Sequence, residues 1–168
     1  MKLAGRIAAA IEVLKDITRN HTPATDALRD WGKANRYAGS KDRSFIGNIV
    51  HDALRRKSSV AYMMGDDSPR SIVLGTLVHV WGKTIEDIDA AFDGDKFAPK
   101  ALSPFEREAL TQPQSLAGAD DWVKADVAEW LWPAFENNFD DEAILEGQAL
   151  SVRAPLDLRV NTLKTTRE

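Results

Sequence analysis

With 168 residues, 43% of them apolar and 29% charged, the chain is long and apolar enough to bury a core of its own, and nothing in it has the composition of a disordered segment. The absence of cysteine excludes a disulfide framework, a thiolate metal site and a cysteine nucleophile within these residues, and it points to a cytoplasmic setting. The formal net charge of −4 is unevenly spread: residues 29–57 hold eight basic side chains against three acidic, a net +5, whereas residues 120–148 hold nine acidic against one basic, a net −8.

The N-terminus places Lys2 before an apolar run, as a signal peptide does, but Arg6 and Glu12 interrupt that run. Leu3, Ile7, Ile11, Leu14 and Ile17 recur at helical spacing and predict a surface helix. No segment approaches the roughly 20 apolar residues of a membrane span. Thr22 followed by Pro23 predicts an N-cap and first helical position, with Ala24, Ala27, Leu28 and Trp31 as the apolar stripe. Ser40 predicts the cap of a helix running to about Lys57, with Phe45, Ile46, Ile49, Val50, Ala53 and Leu54 on one side. Ser68 and Pro69 repeat the start signal before SIVLGTLVHVW, whose β-branched residues suit a strand but whose length and cap favour a buried helix.

Further along, Thr84 heads TIEDIDAAF, and Ser103 with Glu106 predicts a reciprocal capping box in SPFEREAL. In DVAEWLWPAFENNF, Val127, Trp130, Leu131, Ala134 and Phe135 share a helical face, and Pro133 predicts a kink or a new start near Trp132. Trp132 falls off that face and is a candidate for contact with a neighbouring domain. Asp140 or Asp141 opens a last helix, DEAILEGQALSVR. The closing stretch RAPLDLRVNTLKTTRE differs from the rest: Leu156, Leu158 and Val160 alternate with Asp157, Arg159 and Asn161, the period of a strand. A strand needs partners, and no other segment reads as one, so this tail is expected to begin a sheet whose other strands lie beyond Glu168.

Catalytic and metal chemistry find little support. His21, His51 and His79 fall in separate elements without ligand spacing. WGKT, residues 81–84, resembles the end of a phosphate-binding loop, but Leu77 stands where that loop requires glycine and no strand precedes it. The acidic runs sit where helix N-termini favour negative charge.

The basic block is the remaining signal. Arg36, Lys41, Arg43, Arg55, Arg56 and Lys57 form a candidate RNA-binding set, because guanidinium forks match phosphate oxygens and released counterions drive such binding. Two other roles compete with it: Arg55, Arg56 and Lys57 also suit the negative end of a helix dipole, and Asp42 is placed to pair with a neighbouring cation.

Two stretches, DALRDWGKANRYAGSKDRSFIGNIVHDALRRK and RAPLDLRVNTLKTTRE, resemble the N-terminal region of the Sun/Fmu (RsmB-like) family of ribosomal RNA cytosine-C5 methyltransferases, as do YMMGDDSPRSIVLGTL and EWLWPAFENNF. The resemblance covers essentially the whole chain, and its most specific parts are the D-R pair, the later L-R-R and the A-P-x-x-L-R-V-N-T-L-K ending. It implies an all-α, NusB-like helical bundle over residues 1–150 that binds RNA, followed at 151–168 by the strand-like start of a missing α/β methyltransferase region. It also implies that the D-R pair is Asp42 and Arg43 and that L-R-R is Leu54, Arg55 and Arg56. The implied partners are small-subunit ribosomal RNA and the catalytic domain in cis, with S-adenosylmethionine as the cofactor of the parent protein. No cofactor, metal or membrane is expected for this chain, and without the family's two cysteines and its glycine-containing cofactor turn it is not itself active. A protein-interaction module using Trp122, Trp130 and Trp132, and a stand-alone RNA adaptor, are the alternative expectations.

Overall fold

A computed structural model describes residues 1–155 and 158–166 of the chain. Its architecture follows from one segment that is buried all round. Residues 71–77, Ser-Ile-Val-Leu-Gly-Thr-Leu, are all buried, as expected of a helix that must be enclosed by others. Ten α-helices are present among the described residues, with no strand. They are α1 (Leu3–Asn20), α2 (Ala24–Ala34), α3 (Ser40–Arg55), α4 (Lys57–Met64), α5 (Pro69–Gly75), α6 (Ile85–Phe92), α7 (Pro104–Thr111), α8 (Asp121–Ala125), α9 (Trp132–Phe139) and α10 (Ala143–Ser151). None is long and apolar enough to cross a membrane.

Helix α5 is surrounded by α1, α3, α4 and α7. Ser68 caps it by accepting from Ser71 N–H at 3.2 Å, and Pro69 occupies the first turn, as the sequence predicts. Beyond Gly75 the chain continues as a wider π turn, Thr76–Val80, in which Trp81 N–H reaches the Thr76 carbonyl at 3.0 Å. Gly75 permits the close approach of α4: a Cβ there would lie 2.6 Å from Val60 Cγ1 and 2.8 Å from Met64 Cγ.

Helix α1 is a core element rather than a surface helix. Ala4, Ile7, Ala10, Val13 and Leu14 are almost completely enclosed, while Leu3, Ile11 and Ile17 are only partly buried. Its alanines provide a second apolar face, and α1 packs on α2, α3, α5 and α6. Helix α2 starts one residue later than predicted, with Pro23 at the cap position and no side-chain cap. Helix α3 stops at Arg55, and the next helix, α4, starts at Lys57 with no sequence signal to announce it.

The predicted capping box of α7 (Ser103 with Glu106) forms, and a second one forms at α6, where Thr84 pairs with Asp87. Glu106 does more than cap. Its carboxylate also takes the Arg70 guanidinium, which in turn donates to the Lys100 and Ala101 carbonyls. Burial pushes the Glu106 carboxyl up, but the Arg70 and Ser103 donors outweigh it and leave it below its usual range. A lowered folded value means stability that is present above the unfolded value near 4.5 and lost as pH falls through the folded one. Glu106→Gln is therefore expected to cost about 1–2 kcal/mol at neutral pH and to flatten part of the acid limb in thermal melts between pH 3 and 7. An unchanged pH profile would contradict this role.

Pro133 begins a new helix, α9, rather than kinking an existing one. The exposure of the nearby tryptophans reverses the expectation: Trp130 is 82% exposed, while Trp132 is half-buried and stacks on Phe135 at 6.3 Å. The break at Val127–Ala128 turns Trp130 out of the stripe it would occupy in a continuous helix. Helix α10 buries Ala143, Gly147 and Ser151, spaced four apart, and packs on α8, leaving Leu145, Leu150 and Val152 exposed.

The expected strand over 156–163 does not form among the described residues. Residues 158–161 have no regular structure, 162–164 make a turn closed by Lys164 N–H to the Asn161 carbonyl, and Leu158 and Leu163 are exposed. Leu156 and Asp157 lie outside the described residues. A lone strand has no ladder to complete, which is the physical reason alternation alone does not make one here.

Candidate nucleic-acid interface

The six basic residues predicted to bind RNA fall into two groups at opposite ends of α3. Lys41 and Arg56 are separated by fifteen residues, roughly 22 Å at the helical rise. The first group, Arg36, Lys41 and Arg43, sits at the α2–α3 corner. The second, Arg55, Arg56 and Lys57, sits where α3 gives way to α4.

Asp42 organises the corner. It is buried, and it accepts from the Met1 amine at 3.1 and 3.2 Å, from Arg6 Nε at 2.8 Å and from Gly39 N–H at 3.2 Å. The Met1 ammonium, with Arg6 and Gly39 helping against the opposing effect of burial, holds its carboxyl below the usual range. Asp42 thus turns inward to α1 and pairs with none of Arg36, Lys41 or Arg43. The guanidinium of Arg43 is also committed: Nε donates to the Ala38 carbonyl at 2.9 Å and Nη2 to the Gly32 carbonyl at 2.8 Å. It ties the end of α2 to the start of α3, using the Gly32 carbonyl in the last turn of α2 and the Ala38 carbonyl in the linker before α3. Arg36 and Lys41 are exposed and make no ion pair or side-chain hydrogen bond among the described residues.

At the other end, Arg55 pairs with Asp52 at 2.8 Å within α3, and the second Asp52 oxygen accepts from Trp81 Nε1 at 2.9 Å. Arg56 is half-buried and makes no ion pair or side-chain hydrogen bond among the described residues, while Asp126, at a positive φ of 54°, sets its carboxylate on the start of α4, where it accepts from Ser59 N–H at 2.8 Å and Ser59 Oγ at 2.6 Å. Burial raises the Asp126 carboxyl above its usual range, with the Ser59 donors and Arg56 opposing. Lys57 is exposed and unpaired among the described residues. Arg29 and Lys33, which add to the basic count of the sequence window, are engaged with Asp26 and Asp30 on α2.

Among the described residues, Arg36, Lys41 and Lys57 of the predicted set are exposed and make no ion pair or side-chain hydrogen bond, Arg43 and Arg55 have internal partners, and Arg56 is half-buried without either kind of contact. Sequence spacing identified the positive charge and could offer Asp52 to Arg55, but the partners of Arg43 are the backbone carbonyls of Gly32 and Ala38, which no charge pattern reveals.

No group of three or more His, Asp or Glu side chains among the described residues is arranged to hold a metal ion. His79, in the π turn, has its Nε2 enclosed without a partner, and burial keeps its pKa below the usual value. No family model, curated protein or solved structure matches the chain.

Proposed function

We propose that this chain is the RNA-docking helical region of a ribosomal RNA cytosine-C5 methyltransferase of the Sun/Fmu type, NusB-like in its bundle, and that it holds RNA through phosphate contacts rather than by reading bases. The observation that carries the reading is the α2–α3 corner. Asp42 is drawn inward and Arg43 is spent on backbone carbonyls, so Arg36 and Lys41 project from a fixed corner without a competing carboxylate. Lys57 adds a third cation roughly 20 Å away along α3 and α4, a spacing that suits a chain of phosphates better than one small anion. Catalysis and S-adenosylmethionine binding belong, in this reading, to the parent protein's other domain.

Substituting Arg36, Lys41 and Lys57 together with alanine is expected to weaken binding to a single-stranded ribosomal RNA fragment. Each lost phosphate contact should reduce the slope of log affinity against log salt by about 0.7. Arg43→Ala should instead lower thermal stability, because it leaves the Gly32 and Ala38 carbonyls without their donor. An unchanged salt slope in the triple variant would remove these residues from the interface. The role would then pass to exposed apolar side chains such as Trp130, Leu145 and Leu150, which favour a protein partner.

A further inference from the structure

A cavity of about 740 Å³ opens beside the α2–α3 corner, floored by Gly5, Ala8 and Ala9 of α1 and walled by Trp31, Tyr37 and Phe97. Its size lies within the range of pockets that hold small organic groups. Two of its aromatic rings are left largely to solvent: Tyr37 is 72% exposed and Phe97 68%. Large aromatics so exposed at a cavity mouth are available for stacking. Phe97 is held in a tight turn, where Gly94 adopts a φ of 63° and Asp95 accepts from Phe97 N–H at 2.8 Å. The ammonium of Lys96 lies 4.8 Å from the Phe97 ring centroid.

The charges divide in a way that decides the ligand. Inside, Glu12 lines the cavity and accepts from Trp31 Nε1 at 3.1 Å, so a phosphate there would meet a carboxylate. Of the other charged lining residues, Lys2 pairs with Asp95 at 3.6 Å, which leaves Lys96 beside the Phe97 ring as the cation unpaired among the described residues, with Arg36 next to Tyr37 in the chain. An apolar, aromatic-walled interior with a hydrogen-bond acceptor, Lys96 at its edge and the unpaired Arg36 and Lys41 of the neighbouring corner fits a flat neutral ring joined to an anionic backbone. We propose that this cavity receives an unpaired nucleobase of single-stranded RNA, stacked against Phe97 and Tyr37, while the flanking phosphates lie along Lys96, Arg36 and Lys41. The inference rests on the RNA reading above and extends it: the corner supplies charge, and the cavity supplies selectivity for unpaired over duplex RNA, whose bases are already stacked.

The test uses the whole chain with a labelled single-stranded RNA hexamer and a duplex of the same length, followed by fluorescence anisotropy over a salt series. Phe97→Ala and Tyr37→Ala should each weaken the single strand by roughly 5- to 100-fold, as expected for one lost stacked base. The salt slope and the duplex affinity should stay unchanged. Both side chains are exposed, so the variants should melt as the parent does, and a matched melt separates lost binding from lost fold. Intact binding of the single strand by both variants overturns the pocket while leaving the basic corner standing. Equal losses on single strand and duplex also overturn it. A parent chain that binds neither RNA overturns the RNA reading and the pocket together.

Discussion

Leu74→Ala is expected to destabilise the chain by about 3–5 kcal/mol, the upper part of the range for a fully enclosed leucine. Leu74 is 0% exposed at the centre of α5, the helix on which α1, α3 and α4 pack, in one core cluster with Ile7, Ile49, Val60 and Leu77. Truncation removes the transfer energy of the lost atoms and opens a cavity that four surrounding helices cannot collapse into. Because domains are stable by only about 5–15 kcal/mol, this is a large share of the total. For a chain of this length the midpoint should fall by roughly 10 °C. Leu74→Met, which nearly conserves volume, should cost less than about 1.5 kcal/mol. Thermal unfolding of both variants checks the account, and equal losses would show that polarity or propensity, not packing volume, governs the site.

Gly147→Leu is expected to release α10 from α8 while leaving the central helices folded. A Cβ at 147 would lie 2.7 Å from the Ala125 Cβ, 2.7 Å from the Ala125 carbonyl oxygen and 3.0 Å from Val127 Cγ2. Backbone cannot yield as a flexible side chain can, so the two helices must separate. They would lose the Gln148 Nε2 bond to the Lys124 carbonyl as well. Overpacking of this kind costs about 1–3 kcal/mol, set against up to about 1 kcal/mol gained by replacing a helical glycine. The loss should be local, since α10 packs chiefly on α8 and α9. Amide exchange should accelerate in α8 and α10 and stay slow in α1, α3 and α5. Uniform acceleration would show that α10 is an integral part of the core.

The helices were legible where a local signal and an apolar stripe agreed. Ser68 with Pro69, Thr84 and Ser103 with Glu106 each start a helix in the structure. The buried helix in SIVLGTLVHVW was readable because its cap and length outweighed its β-branched residues, although nothing in it signals the π turn at Thr76–Val80. Helix α4 was missed because its start is capped from far away, by Asp126 across 67 residues. Trp130 was misassigned because a period extended through DVAEWLWPAF ignores the break after Val127. At the candidate interface the charge was legible and its availability was not. Asp42 looks like a local partner for its neighbours in sequence, yet it folds inward to Arg6 and the Met1 amine. The cavity beside the corner had no linear signature at all, since α1, Tyr37 and the 94–97 turn meet only in three dimensions.

The most direct test of RNA docking is the affinity of the unaltered chain for a single-stranded ribosomal RNA fragment over a salt series from about 50 to 200 mM. Contacts by Arg36, Lys41 and Lys57 predict a slope of log affinity against log salt near −2, at about −0.7 per phosphate. Saturable binding with that slope is the predicted result. No binding at the lowest salt, or binding with a slope near zero, would contradict the assignment of this surface to RNA.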